Sequence, residues 1–387
     1  MSNKTKVFNF SAVMFLMYAS HGLLFPQVVP FLTHLGYSAS QRGLILSFLA
    51  IIAMVGQILS GYLCDRYGTI KRFFIYGTFI LAATGMLSYS VNIHNFYYHF
   101  FLVGTMAGTV RILSNLFETW VLEVDGIYHQ FSFIRSFGSL GWALASLVSG
   151  FFIHRYGYPS LGYLSGIMSF VVIFYSFKLE DATKQKNDNV ATALRLKDLK
   201  VLFTNKRYMY LVVVFTLTYF VMNVDSITIT DYIFHLGGNA QDVGVKWFVE
   251  ALSEIPLMLV GGTLLKKYGG KNLMVFSSIV MIIRMVTYGM ATSVFQIIVL
   301  STLQAITFPL ILVAQKDLIF RESPSHLRST AQMFSISMSI GFSAIITPLV
   351  SGILVERMPI QIVIFIFGVI MIIPTIMISI FKPAHTN

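Results

Sequence analysis

An eight-residue stretch that closes a long apolar run, Gly61-Tyr62-Leu63-Cys64-Asp65-Arg66-Tyr67-Gly68, decides the fold because related stretches recur at regular distances. The related stretches begin at Gly150, Gly262 and Gly352. The first and third lie 201 positions apart (262 minus 61), and the second and fourth lie 202 apart (352 minus 150). A repeat of this length is a duplicated fold unit. The sequence therefore predicts two similar halves, each built from two similar quarters.

Composition places the chain in a membrane. Of its 387 residues 56% are hydrophobic and 11% are charged, which is too little polar surface to cover a soluble globule. Apolar runs of roughly 20 residues, the length of a helix that crosses the hydrocarbon layer, recur about twelve times and lack the alternation of strands. We place them at residues 8–32, 43–63, 73–92, 96–117, 131–153, 159–177, 209–234, 244–265, 273–292, 295–315, 330–354 and 360–381. The prediction is an all-α membrane protein with twelve transmembrane helices.

The distribution of basic residues predicts the orientation of the chain. The net charge of +11 comes from Lys and Arg that concentrate in the loops on one side of the predicted helices. The predicted loops on the other side contain only Arg42, Arg155, Lys246 and Arg357. Because basic loops stay in the cytoplasm, we expect both termini to be cytoplasmic, in the plasma membrane. Basic residues placed in this way are not a nucleic-acid-binding surface.

A polar, charged segment at residues 178–207 divides the chain in the middle. We expect an N-terminal six-helix bundle at 1–177, a cytoplasmic linker at 178–207 and a C-terminal six-helix bundle at 208–387. Residues 191–203 are amphipathic and are expected on the inner membrane surface. Two similar bundles imply a pseudo-twofold axis along the membrane normal, with a ligand site near the bilayer midplane. We expect a monomer.

Ionisable residues inside the predicted helices mark the candidate site. Each costs roughly 3 kcal/mol or more at membrane depth unless it faces a polar cavity or a partner. The candidates are Glu118, Arg135, Asp225, Glu250, Glu254 and Arg284. One interpretation is a wet cavity in which they bind a polar solute and take up a proton. The alternative is that they form ion pairs that lock helices together.

Trp142 follows Arg135 by seven residues and therefore shares its helix face. An aromatic plane beside an Arg and a Glu can hold a sugar, because the apolar face of the sugar stacks on the ring while its hydroxyls form hydrogen bonds. The alternative is that Trp142 only packs against other helices or anchors the chain at the membrane interface.

The recurring stretch itself carries a second hypothesis, a conformational latch. Gly61 and Gly68 would permit close packing and a sharp turn, and Asp65 would cap a neighbouring helix or pair with a basic group such as Arg66 or Lys71. Such a contact would break when the halves move. The alternative is that the basic residues only hold this loop in the cytoplasm.

The chain resembles the Major Facilitator Superfamily. Residues 61–72, GYLCDRYGTIKR, are similar to the signature of the loop between its second and third helices. The twelve-helix pattern and the charged central segment extend the resemblance over the whole chain. It implies a transporter that works by alternating access.

A narrower resemblance is to the lactose-permease-like oligosaccharide:proton symporters. Residues 135–144, RSFGSLGWAL, are similar to the segment with that family's substrate Arg and stacking Trp, and Glu118 falls one residue off the spacing of its partner Glu. Arg284, fifteen positions after Gly269, matches a ninth-helix Arg, and Asp225 resembles a seventh-helix Asp. The resemblance implies that Glu118, Arg135, Trp142 and Asp225 bind solute.

The chain departs from this family at the residues expected to carry the proton. Gln304 stands at the position of the coupling His and Thr307 at that of the proton-carrying Glu. Neither side chain exchanges a proton near neutral pH. We therefore assign proton coupling to Glu250 or Glu254 together with Arg284, and keep Gln304 among the solute-binding residues.

These observations predict a secondary transporter that imports a small polar solute, such as a sugar or glycoside, together with a proton. A uniporter, a carrier of nucleosides or aromatic acids, and a drug exporter stay open as alternatives. A membrane enzyme is disfavoured because the sequence has no metal-spaced His pair, phosphate-binding Gly loop or grouped Ser, His and Asp. We expect no cofactor and no metal.

Overall fold

The computed structural model describes residues 3–182, 201–324 and 328–382, and every regular element within these ranges is helical. Eleven of its helical runs are long and apolar enough to cross a membrane. The chain is a multi-pass membrane protein. The predicted amphipathic segment 191–203 falls mainly outside the described residues.

In the described part of the first half, residues 3–182, the chain forms seven α-helices. They are α1 (Asn3–Leu24), α2 (Val28–His34), α3 (Ala39–Tyr67), α4 (Lys71–Ser90), α5 (Phe96–Glu123), α6 (Phe131–Tyr156) and α7 (Pro159–Lys178). A 3₁₀ turn at Phe25–Gln27 joins α1 to α2, so that the two form one candidate span with an irregular point at Pro26. The missing backbone N–H of Pro26 accounts for this local change of helix type.

Seven α-helices also lie in the second half, within the described ranges 201–324 and 328–382. They are α8 (Lys206–His235), α9 (Ala240–Met290), α10 (Val294–Ser301), α11 (Phe308–Glu322), α12 (Arg328–Ile336), α13 (Ser343–Arg357) and α14 (Ile360–Ile380). A 3₁₀ segment, Thr302–Ile306, joins α10 to α11, and a π-helical segment, Ser337–Phe342, joins α12 to α13. Each joined pair forms one candidate span.

Helix α9 is too long to be a single straight span. Its 51 residues would extend ~77 Å, compared with ~30 Å of hydrocarbon. At Gly269 the backbone leaves helical geometry, with φ of 76° and ψ of 154°, values that favour glycine. Gly269 lies between the predicted spans 244–265 and 273–292. These spans meet at one backbone kink rather than across a loop.

Local sequence signals explain where several helices begin and end. Ser38 accepts a hydrogen bond from the N–H of Gln41, whose side chain bonds back to the N–H of Ser38, a capping box that starts α3. Gly68, with φ of 66°, ends α3 in the left-handed conformation. Asn95 and Asn205 cap α5 and α8 in the same way as Ser38, through the side-chain oxygen.

The described helices divide into two compact units. Unit one contains Met1–Ala191 and Gly238–Leu252, and unit two contains Thr192–Gly237 and Ser253–Asn387. The first part of α9 therefore belongs to unit one. The two-bundle division at residues 177 and 208 stays a prediction.

Unit one is held together by close helix contacts and by an aromatic core. A Cβ added at Gly141 would lie 2.3 Å from the backbone oxygen of Phe15, and one at Gly22 would lie 2.7 Å from that of Trp142, so α1 and α6 touch through their backbones. The rings of Phe74 and Phe10 each lie 5.6 Å from that of Trp120. Small residues at a contact let helices in lipid approach closely.

Unit two packs around α8. Its buried core includes Phe215 on α8, Met274 on α9, Leu318 on α11 and Ile378 on α14. The hydroxyl of Tyr208 donates to the carbonyl oxygen of Ala331 across 2.7 Å, which ties α8 to α12.

Candidate functional site

An ion pair joins α5 to α6 within unit one. Arg135 Nε donates to Glu118 Oε1 across 2.7 Å, and the hydroxyl of Tyr18 donates to the same oxygen across 2.6 Å. Arg135 Nη1 also donates to Ser139 Oγ at 3.2 Å. The side chains of Arg135 and Glu118 are 29% and 27% exposed, so neither group is sealed. The structure thus brings together the two predicted binding residues.

Close helix packing explains why Tyr18 reaches this pair. A Cβ at Gly138 would lie 2.9 Å from Tyr18 Cδ2 and 3.2 Å from Arg135 Nη1, so any larger residue at this position would displace both side chains. The Arg135 guanidinium lies over the Tyr18 ring, 4.5 Å from its centroid. Cation–π attraction to an aromatic face holds the guanidinium there.

Trp142 belongs to a cluster of four aromatic rings in unit one, which we call the aromatic cage. The cage consists of Tyr18, Phe25, Trp142 and Trp247. The Trp142 centroid lies 6.5 Å from that of Tyr18, 5.9 Å from Phe25 and 6.0 Å from Trp247. Trp142 is half-buried, and Trp247 Nε1 is a buried N–H with no hydrogen-bond partner among the described residues. The cage therefore offers apolar ring faces and the N–H donor of Trp247, a combination that can bind a ligand by stacking and by a hydrogen bond.

Sequence reasoning missed three members of the cage. Tyr18 and Phe25 lie in a predominantly apolar segment, and no period distinguishes them from lipid-facing aromatics. Trp247 adjoins Lys246, which we placed in an external loop. One signal was available, since Trp142 and Trp247 both lie within predicted spans and the chain has only three Trp residues.

The structure corrects the placement of Lys246. Its side chain is fully buried and forms an ion pair with the buried carboxylate of Glu250, with 3.1 Å between Nζ and Oε2. The ammonium group also lies 4.8 Å from the centroid of the Trp247 ring. A lysine in a loop would be solvated; this one lies on α9, within the predicted span 244–265, and its charge faces Glu250 one turn later.

A second network of polar side chains lies in unit two, around the buried Arg284. Its Nη2 pairs with Asp225 Oδ2 across 3.2 Å, and its Nη1 donates to Gln304 Oε1. Gln304 Nε2 donates to Glu254 Oε1 across 2.9 Å. The predicted binding residues Asp225 and Gln304 and the predicted coupling residues Glu254 and Arg284 therefore form one hydrogen-bonded network.

Helix geometry supports the network. Tyr288, one turn after Arg284 on α9, accepts from Arg284 Nη2 across 3.0 Å, and its hydroxyl lies 2.9 Å from Ser301 Oγ. Thr307 Oγ1 donates to Gln304 Oε1 at 3.4 Å. The departures from the family pattern, Gln304 and Thr307, thus lie in hydrogen-bond contact with each other. Tyr288 and Ser301 were missed because a neutral hydroxyl carries no signal among apolar residues.

Lys71, at the start of α4 three residues after the recurring stretch, is tied to the end of α7. Lys71 Nζ donates to the carbonyl oxygens of Phe177 and Leu179, each across 2.8 Å, and so satisfies the free end of α7. Arg66 is exposed and contacts Tyr62 at 3.5 Å. The described partners of Lys71 and Arg66 belong to unit one. The side chain of Asp65 lies outside the described part of the structure.

Close packing at Gly61 was a wrong expectation. A Cβ at Gly61 would meet no atom within 4 Å, because the residue faces open space on α3. The sharp turn at Gly68 is confirmed by its φ of 66°. The latch itself stays a prediction.

Asp181, just after α7, binds the start of α4, a role that sequence reasoning missed. Its Oδ1 accepts from the backbone N–H groups of Ile70 and Lys71 across 3.1 and 3.0 Å, and so caps the start of α4. Next to it, Glu180 pairs with Lys6 across 2.6 Å, and this hydrogen bond lowers the pKa of the exposed Glu180 carboxyl. The loop before α4 is therefore fastened to the end of α7.

The chain matches the model of the MFS_1-like family over residues 7–381. It belongs to that family. The predicted membership of the Major Facilitator Superfamily is confirmed, and the chain is a secondary transporter of this type rather than an enzyme.

Two curated relatives of this family member are sugar permeases by name. The maltose permease of Geobacillus stearothermophilus is 25% identical over 373 residues, which cover 92% of this chain and 89% of the relative. The raffinose permease of Escherichia coli is 23% identical over 390 residues, covering 95% and 90%.

Solved structures show the same fold. The structure of a mutant of the nucleoside transporter NupG superposes with a TM-score of 0.85 at 17% identity, covering 97% of this chain and all of that one. A D-xylose-proton symporter superposes with a TM-score of 0.76 at 16% identity, covering 98% of each chain.

Proposed function

We propose that this MFS_1-like transporter imports a small polar solute, a sugar or glycoside, together with a proton. The observation that carries the proposal is the partly exposed Glu118–Arg135 pair in the same unit as the half-buried Trp142 ring. Two opposite charges can accept from and donate to the hydroxyls of one solute, while the ring stacks on its apolar face.

The relatives favour a sugar as the solute. The maltose and raffinose permeases align over about nine-tenths of this chain. The aromatic cage also fits the alternating polar and apolar faces of a pyranose.

A nucleoside is the second candidate. A nucleoside has a ribose with hydroxyls and a flat base, and the aromatic cage offers several ring faces for such a base. The structural similarity to NupG supports this candidate at the level of the fold.

Glu254 is the stronger of the two candidate proton carriers. It belongs to the hydrogen-bonded network of Arg284 through Gln304, whereas Glu250 is committed to the buried ammonium of Lys246. A carboxyl that gains a proton while its neighbours change partners can link protonation to the state of the network. Arg284 would then exchange partners between Asp225 and Gln304.

The transport cycle follows from the proposed architecture of twelve spans in two pseudo-twofold-related bundles, 1–177 and 208–387, joined by the cytoplasmic linker 178–207. The bundles rock about the solute and expose its binding site to each side of the membrane in turn. Both termini lie in the cytoplasm of a plasma-membrane monomer, and the basic loops support this orientation. One proton that moves inward across 100 mV contributes ~2.3 kcal/mol, enough for roughly fifty-fold accumulation.

Thermal stabilisation of the purified protein by a panel of sugars and nucleosides tests the solute class. A ligand that binds the folded state raises its melting temperature. Stabilisation by sugars supports the first candidate, and stabilisation by nucleosides alone supports the second. If neither class stabilises the protein or is transported in proteoliposomes, the proposed function is wrong.

A further inference from the structure

Arg111 on α5 is a cation without a counter-charge among the residues that the structure describes. Its guanidinium makes no described ion pair or hydrogen bond, and its Nε is buried without a partner. Arg135 and Lys246 in unit one, by contrast, each face a carboxylate. Arg111 is half-buried, and a cation that is withdrawn from water is costly unless an anion compensates it.

The position of Arg111 links it to the aromatic cage. Its guanidinium carbon lies 5.3 Å from the centroid of Phe25, whose ring lies 5.9 Å from that of Trp142. At the other end of the cage, the guanidinium of Arg135 lies over the ring of Tyr18. The cage is therefore flanked by a paired charge at one end and an uncompensated positive charge at the other.

Helix geometry sets the separation of these two ends. Arg111 and Glu118 are seven residues apart on α5, two turns along one face, which is a rise of ~10 Å. Ser114 lies between them, with its Oγ 3.2 Å from His21 Nδ1. This spacing exceeds one sugar ring but fits a sugar joined to a second ring.

The chemistry of the guanidinium group indicates which ligand group Arg111 would bind. A guanidinium presents a planar fork of N–H donors that matches the two oxygens of a carboxylate. One uncompensated Arg balances one negative charge, which favours a carboxylate over a phosphate with a charge near −2.

We infer that the solute carries a carboxylate, which binds Arg111 while the hydroxyl-bearing part of the solute contacts Glu118 and Arg135. The rings of Phe25 and Trp142 contact the portion between. This inference rests on the proposed function, since it specifies the solute class of the same site.

The test compares two pairs of glycosides, and the members of each pair differ only in a carboxylate group. The probes are phenyl β-glucoside and phenyl β-galactoside, each with and without a para-carboxylate, which are bound to the purified full-length protein and measured by calorimetry at one salt concentration. We expect each carboxylated glycoside to bind about tenfold more tightly or better than its neutral counterpart.

Variants at Arg111 assign this preference. Arg111→Gln should lose the preference and keep the affinity for the neutral glycoside, and Arg111→Lys should retain part of it. Arg155→Gln, an exposed arginine at the end of α6, is the matched control and should behave as the wild type.

These measurements distinguish a failure of the carboxylate inference from a failure of the proposed function. If the wild type binds neutral glycosides as tightly as the acids, or if Arg111→Gln keeps the preference, the inference about the carboxylate is wrong while sugar binding stands. If no glycoside of either kind binds and none is transported, the proposed function itself fails.

Discussion

Glu118 and Arg135 face each other across 2.7 Å, yet more than a quarter of each side chain is exposed. An ion pair exposed to this degree contributes little to stability, typically less than about 1 kcal/mol. A pair that only locked two helices would be expected in a sealed contact, as Lys246 and Glu250 are. The exposure of this pair leaves donors and acceptors for a solute.

Removal of the Arg135 charge should abolish high-affinity binding with little loss of stability. Hydrogen bonds to a charged group contribute about 1.5–3 kcal/mol each, so Arg135→Ala should weaken solute binding by about tenfold to more than a hundredfold. Calorimetry with the best-binding solute measures the change. Glu180→Gln breaks the Lys6–Glu180 pair of the same unit and should leave affinity unchanged. Unaltered affinity in Arg135→Ala would contradict the assignment.

Trp142 should contribute to solute affinity through its ring. Trp142→Ala should weaken binding by about 0.5–1.5 kcal/mol, and Trp142→Phe should retain much of it, because an aromatic face remains. Trp120 is the control, since it is fully buried and its Nε1 donates to the carbonyl oxygen of Glu180 across 3.0 Å. Trp120→Phe should lower thermal stability and leave affinity intact. Equal affinity in Trp142→Ala and the wild type would show that Trp142 only packs.

The two acidic residues of α9 should respond differently to neutralisation. Glu254→Gln should abolish pH-driven uptake and leave the fold intact, because Glu254 is half-buried and hydrogen-bonded to a neutral Gln304. Proton flux and solute counterflow in proteoliposomes measure coupling and binding separately.

Glu250→Gln should instead destabilise the protein. It removes the carboxylate charge that lies 3.1 Å from the buried Lys246 ammonium, at a cost of about 3–5 kcal/mol. The double change Lys246→Met with Glu250→Gln should recover most of that stability. If both single Gln variants retain pH-driven uptake, neither carboxylate carries the proton.

Two glycines, one in a tight helix contact and one facing open space, test the packing of the helices. Gly141→Ala should destabilise unit one by about 1–3 kcal/mol, because its Cβ would lie 2.3 Å from the backbone oxygen of Phe15. Gly61→Ala, on α3 with no atom within 4 Å of the new Cβ, should be neutral or stabilising by about 0.5–1 kcal/mol. Thermal unfolding in detergent measures both. Equal melting temperatures for the two variants would contradict the close contact of α1 with α6.

The fold was largely predictable because it depends on long apolar runs and on a repeated stretch, which are both visible in the sequence. Apolar runs locate spans, and the copy of the repeated stretch that ends at Gly269 marks the break within α9. The start of α9 at Ala240, four residues before the predicted span, was not predictable because Gln241 and Asp242 are polar, and the burial of Lys246 was not predictable because its charge favours a loop. A buried Lys depends on a partner one turn away, and no hydropathy window detects such a partner.

The candidate site was predictable in its charges and not in its neutral members. Glu118, Arg135, Asp225 and Arg284 stand out because ionisable groups are rare at membrane depth. Tyr18, Tyr288 and Trp247 do not stand out, because aromatic residues make up 15% of the chain. Their roles follow only from distances between helices that are remote in sequence.

Proton flux into proteoliposomes, recorded while single sugars and nucleosides are offered, tests the central claim most directly. We predict inward proton movement that depends on one class of solute, is strongly reduced in Arg135→Ala at the solute concentration that saturates the wild type, and is absent in Glu254→Gln although that variant still exchanges solute. Solute uptake that proceeds without any proton movement in the wild type, or proton movement that persists in both variants, would contradict it.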